Sequence, residues 1–343
     1  MPEISIFKIT RAKAEITLRG LRVTLTYPEK PDPIEKRFPE NLDFGEKVFT
    51  NLINKGYADI ASFSNPLPPP SSGAIYLLKD NSIICSRRDR FAPTHKLWHE
   101  AYAGFPEEFK DVFTKSGLDK IGLRECTEEC ILLTNEPVPR LIVPNEAIAE
   151  TRNSAAELGL NLNELHCNVE IIRGNDELIV IDESGKLIFK MDAFINFSFE
   201  SGTVFNVLKI IKIPFSSHEV VPIDGEFIVK NNQKIRLNRE AYILPLKDLH
   251  KINFGSPLNN FKVYQSDIIE GKPLVKIPKY SPPYFGPNVS SAENPHIWAP
   301  DNNLVRLLEG LGVRCRINSQ NLDWMHHELI KYTLKKSGKL FAN

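Results

Sequence analysis

The sequence predicts an α+β fold. Strand-like and helix-like stretches occur together without regular βαβ alternation. A long block, Val169 to Leu249, is almost wholly strand-like, and helical periodicity is confined to a few separate places.

Taken in order, residues 1–63 form an N-terminal α/β extension. Its AEITLRGLRVTLTY stretch alternates, with Ile16, Leu18, Leu21, Val23 and Leu25 apolar, the period of half-buried strands. Phe44, Val48, Leu52 and Ile53 recur at helical spacing, which predicts a helix over Phe44–Tyr57. SNPLPPPSSG, Ser64–Gly73, is too rich in Pro and Ser for a regular element and sets the first boundary. Ala74–Leu78 and Ser82–Arg88 read as a hairpin closed by the turn KDN, and a loop runs from Pro93 to Pro106. Helices are expected over Glu107–Lys115 and Asp119–Leu132, after which Pro137, Pro139 and Pro144 break the chain. Within the β-rich block the strands are VEII, ELIVID, KLIFKMDAFINFSF, VFNVLKIIKIPF, EFIVK and EAYILPL, with turns at Asn175-Asp176 and Glu183-Ser184-Gly185. Pro and Gly then punctuate residues 273–300, which predicts a long loop. Helices are expected over Asn302–Gly310 and Asn321–Lys336.

Composition bounds the function. Hydrophobic residues are 42% of the 343 and charged residues 25%, an ordinary globular balance with enough apolar material for a core. Lys+Arg and Asp+Glu are both 43, so no net field draws the whole protein to nucleic acid or an anionic membrane. No segment reaches about 18 uninterrupted apolar residues, so no membrane span is expected. The five cysteines are scattered and make no C-x-x-C pair, which indicates neither a zinc ribbon nor a disulfide framework. The expectation is a reduced, cytoplasmic protein.

The most informative string is LRECTEEC, Leu123–Cys130. At 100° per residue, Glu125, Glu128 and Glu129 fall within a wedge of about 100°, while Leu123, Cys126, Cys130 and Leu133 gather on the other side. Three carboxylates at i, i+3 and i+4 repel one another. A hard divalent cation, Mg²⁺ or Mn²⁺, would compensate them, since such cations take oxygen ligands. The plainer reading is a solvated acidic face balanced by Arg124 and Lys120.

The string R-E-C-T-E-E, Arg124–Glu129, resembles the end of the Nudix signature, in which Arg-Glu, an apolar residue, any residue and Glu-Glu follow one another on a helix. Upstream, LWHEAYAGFPEE resembles that family's Trp followed by a Gly-containing turn, here Trp98 and Gly104. IYLLKDNSIICSRRD resembles its hairpin ending in basic residues, and EAYILPLKDLHKI its closing strand and short helix. Gly104 and Arg124 stand 20 positions apart, six more than the signature's spacing. Ser116 occupies the place of its upstream Glu, for which Glu107, Glu108 and Asp111 are substitutes, and Ile131 replaces a Gly.

The resemblance implies a Nudix-like α/β/α sandwich with a mixed sheet over residues 72–255. A β insertion falls around 169–200, and the Pro-rich loop and helices of 256–343 pack on that core. It implies hydrolysis of a nucleoside diphosphate linked to another moiety, by water attack on the diphosphate bridge. Glu125, Glu128 and Glu129 would hold Mg²⁺ or Mn²⁺. Arg124 would pair with a carboxylate and fix the helix. Gly104 would let the loop backbone approach the helix. Arg87 and Arg88, with Arg90, could contact phosphates, or be solvated where a strand end turns into loop. The proton acceptor stays open among the glutamates and a carboxylate elsewhere, such as Asp224 or Glu226 in PIDGEF. His95 and His99, and the adjacent His326 and His327, read as surface residues rather than metal ligands. The implied partner is a nucleotide-derived small molecule, and family habit suggests a homodimer. Two other classes compete: a Nudix-fold nucleotide-binding or scaffold module without turnover, favoured by Ser116 and Ile131, and an unrelated α+β protein with a chance string.

Overall fold

A computed structural model describes residues 6–7, 11–27, 33–34, 57–58, 70–86, 101–104, 114–198, 204–225, 227–230, 233–236, 240–250, 252, 262–269, 272–276, 298 and 300–314. In chain order the principal elements are β1 (Arg11–Ile16), β2 (Leu21–Tyr27), β3 (Ser71–Leu77), β4 (Ser82–Ser86), β5 (Tyr102–Gly104), α1 (Lys115–Glu129), β6 (Cys130–Thr134), β7 (Leu141–Pro144), α2 (Ile148–Glu157) and β8 (Glu164–Cys167). There follow β9 (Glu170–Ile172), β10 (Asp176–Asp182), β11 (Leu187–Ser198), β12 (Val204–Lys212), β13 (Val220–Asp224), β14 (Glu240–Pro245), β15 (Lys262–Ile269), β16 (Lys272–Lys276) and α3 (Asn302–Gly310).

The larger sheet runs β16-β15-β14-β4-β3-β12-β11-β10-β2-β1, with Tyr57–Ala58 beyond β1; β5 lies along β3 and β9 along β12. It is mixed: β3 is parallel to β12, and β2 is parallel to β10. A second sheet, β8-β7-β6-β13, is also mixed, with β7 parallel to β8. The protein is therefore α+β with mixed sheets.

Strand β3 is buried throughout, and its two faces feed two cores. Ala74 and Tyr76 point to one side, where Leu123, Cys126 and Cys130 cover them. Ile75 and Leu77 point to the other, where Trp298 with Leu304, Leu307 and Leu308 of α3 cover them. Helices thus lie on both faces of the centre of the large sheet. A third core joins α2 to the small sheet through Ile131, Leu133, Val143, Ala155 and Ile223. Long apolar runs without alternation are what strands covered on both faces require.

The β-rich block forms its strands where the alternation places them, and α3 spans Asn302–Gly310 as its periodicity predicts. Several boundaries differ. Ser71–Gly73 belong to β3 rather than to a linker, because they pair with Asn206–Leu208 of β12. The expected loop before Pro106 contains β5, which pairs with β3. Asp176 opens β10 instead of making a turn. Pro273–Lys276 lie in β16, at the sheet edge where a missing N–H costs no ladder bond. Leu18 sits in the tight turn between β1 and β2 and is fully exposed. Strands β7, β8, β13 and β15 and helix α2 are additions. The helices expected over 44–57, 107–115 and 321–336 lie outside the described residues but for Tyr57, which pairs as a strand with Glu15 of β1, and Thr114-Lys115, which cap and open the next helix.

Candidate functional site

Helix α1 starts four residues earlier than its pattern predicts and ends three earlier. Thr114 caps it: Oγ1 accepts the Gly117 N–H at 2.9 Å. At the other end the chain passes straight from Glu129 into β6. Cys130-Ile-Leu-Leu-Thr pairs with β13 along one edge and with β7 through Leu133 on the other, and those ladders outweigh helix continuation. Leu133 is therefore buried from a strand, not from the helix face. The carbonyl of Glu129 accepts the Gly225 N–H at 3.1 Å, so one orphan carbonyl of the helix end is satisfied by the chain leaving β13.

Helix α1 divides as its sequence suggests. Leu123, Cys126 and Thr127 are buried, while Glu125, Glu128 and Glu129 are partly exposed. The Glu125 side chain is 13% exposed and that of Glu128 is 44%. Arg124 stands between them: one guanidinium nitrogen meets Glu125 Oε1 at 2.8 Å, and Nε lies 3.7 Å from Glu128 Oε1. Cys126 and Cys130 are buried thiols that are not joined in a disulfide. Burial pushes the Cys126 thiol well up, and its acidic neighbours Cys130, Glu129 and Glu125 push it further, against the pull of Lys209.

Gly104, at the end of β5, lies directly against this face. A Cβ there would overlap the carboxylate of Glu125. The two halves of the motif, 20 positions apart in sequence, are thus in contact. Asp224, the last residue of β13, pairs with Cys130, one residue beyond Glu129, so a further acidic residue is at the C-terminal end of α1. Among the described residues, no three His, Cys, Asp or Glu side chains stand close enough together to hold a metal ion.

No family model matches the chain, and no curated protein matches it. The site is read from its residues alone. Arg87, Arg88, Arg90, Trp98, His95, His99, Glu107, Glu108, Asp111, Glu226, His326 and His327 lie outside the described residues. Ser116 is exposed in the first turn of α1, its hydroxyl 3.4 Å from Thr114 Oγ1. Ile131 is buried in β6.

Beneath the first half of α1 lies a group that the motif does not include. Lys209 of β12 is 1% exposed, and its Nζ donates to the Leu118 carbonyl at 2.6 Å, Ser72 Oγ at 2.9 Å and Asp119 Oδ1 at 3.3 Å. Ser72 Oγ also donates to the Leu118 carbonyl at 2.6 Å, and Asp119 is held from the other side by both terminal nitrogens of Arg173. Desolvation lowers the Lys209 amine to about 8, against the pull of Asp119. The available sequence signal is a lone lysine between Leu208 and Ile210-Ile211, in a run whose two faces are both apolar.

Proposed function

We propose that the chain is a Nudix-type, metal-dependent hydrolase that cleaves a nucleoside diphosphate linked to another moiety at its diphosphate bridge. The observation that carries this reading is the contact of Gly104 with the Glu125 carboxylate, on the face of α1 that also bears Glu128 and Glu129. Gly104 and Glu125 are in contact across the six additional residues that separate Gly104 from Arg124, which supports the reading.

The donor set suits a hard cation in its chemistry, though its three carboxylates would have to draw together to bind one. It consists of carboxylate oxygens, with Glu125 seated in the space a side chain at position 104 would fill. Glu125, Glu128 and Glu129 are the residues that would hold Mg²⁺ or Mn²⁺. A bound cation neutralises the diphosphate oxygens and lowers the pKa of its water. Arg124 orients Glu125 through its hydrogen bond, and Gly104 leaves that carboxylate room. A neighbouring carboxylate accepts the proton from water.

The test is a panel of ADP-ribose, nucleotide sugars and dinucleoside polyphosphates with Mg²⁺ or Mn²⁺, scored for metal-dependent release of a mononucleotide. Turnover of one class supports hydrolysis. A second reading, a nucleotide-binding module without turnover, is favoured by Ser116, which puts a hydroxyl where the signature has a carboxylate. Saturable binding of a panel member without cleavage selects it, and neither binding nor cleavage rejects both.

A further inference from the structure

We infer that Lys209 is the positioning residue of the carboxylate helix: from the central sheet it holds the first half of α1 and thereby fixes where Glu125 stands relative to Gly104. This rests on the reading of α1 as the metal-binding helix. The geometry is specific. Lys209 reaches across the face of β12 and binds the helix at two points, the Leu118 carbonyl and the Asp119 carboxylate. Ser72, on the adjacent parallel strand β3, closes the arrangement by contacting both Lys209 and the Leu118 carbonyl. The helix can approach this closely because residue 122 is glycine. A Cβ there would lie 3.1 Å from Lys209 Cε, 3.1 Å from Ser72 Oγ and 3.2 Å from Lys209 Nζ.

A buried ammonium is a poor way to gain stability. Its desolvation offsets most of what its bonds return, and without it Asp119 keeps Arg173 and the Leu118 carbonyl keeps the Ser72 hydroxyl. What the ammonium supplies is direction. Three donors aimed at three fixed acceptors set the height and rotation of α1 on the sheet, which apolar packing against Gly122 does not. Glu125 lies one turn beyond Gly122, so a shift of the helix by a fraction of a turn moves its carboxylate away from Gly104. The ionisable or charged groups recorded around Lys209 are Asp119 and Cys126 of α1 and Arg173, which precedes β10.

The experiment compares the full-length protein with Lys209→Met and with Ser72→Ala. Urea unfolding, amide hydrogen exchange along α1 and Mn²⁺ titration calorimetry are measured on each. For Lys209→Met the expected result is a urea midpoint close to wild type, loss of exchange protection over residues 121–129 and retention over residues 208–211. Mn²⁺ affinity should fall about tenfold to a hundredfold, the loss typical when support behind metal ligands is removed. Ser72→Ala should move the same readouts in the same direction by less, and carries the test if Lys209→Met does not fold. Wild-type protection of α1 together with wild-type Mn²⁺ affinity in the variants overturns the inference. If the wild-type protein binds no Mn²⁺, the metal reading fails by itself, and exchange along α1 still decides whether Lys209 positions the helix.

Discussion

At the scale of single residues, the site is a balance of close charges. Glu128→Gln and Glu129→Gln remove charge while keeping shape, so each should lower metal-dependent turnover by orders of magnitude. Neither should lower stability without metal, because like charges on one helix face repel. Panel kinetics beside urea melts of the same samples checks both halves. Gly104→Ala should act through Glu125: the added methyl occupies the place of its carboxylate, and the expected outcome is a folded protein with weakened Mn²⁺ binding in calorimetry. Lys209 gives a pH signature. Its amine sits near 8 in the fold against 10.5 when solvated, so the unfolded chain binds more protons between those values. Below pH 8 both states are protonated and the burial cost is fully present. Stability should therefore rise by about 3 kcal/mol as pH climbs from 8 to 10.5, and Lys209→Met should flatten that rise in urea midpoints taken across the range. The three glutamates and Gly104 were legible because an i, i+3, i+4 cluster and a glycine before a helix are local patterns. Lys209 was not, because its partners lie 137 and 91 residues away.

At the scale of elements, strands were easier to place than helix ends. Six predicted strands of the β-rich block form because their runs of β-branched and aromatic residues are long and bounded by polar turns. The end of α1 was misplaced because Ile131, Leu132 and Leu133 fit a helical stripe as well as a strand, and only pairing with β13 and β7 decides between them. Strand β7 is masked by Pro137, Pro139 and Pro144, and β8 is only four residues, ELHC, with one strongly apolar side chain. Short parallel strands such as these carry no turn signal of their own. The start of α1 depends on Thr114, whose hydroxyl satisfies the Gly117 amide. Thr114→Ala should cost about 1 kcal/mol in urea unfolding, the usual worth of an N-cap. Its effect on Mn²⁺ affinity should be small, since Lys209 holds the helix further along.

At the scale of the whole molecule, one buried carboxylate draws together segments far apart in sequence. Asp176, 1% exposed, accepts the Leu21 amide at 2.8 Å, the Ile195 amide at 2.8 Å and the Arg306 guanidinium. It thus joins β2, β11 and α3. Asp176→Ala leaves two backbone amides and a cation without their acceptor, and should destabilise the protein by about 3–5 kcal/mol, read as a lower urea midpoint with an unchanged slope. The arrangement also has a consequence in time. During synthesis the Asp176 carboxylate emerges 130 residues before Arg306, long after Leu21 and well before the helix that neutralises it. A nascent chain that has collapsed around β10 holds an uncompensated charge until the C-terminal helix arrives. Ribosome-stalled chains ending before residue 302 should therefore stay protease-sensitive, and resistance should appear abruptly once α3 has cleared the exit tunnel.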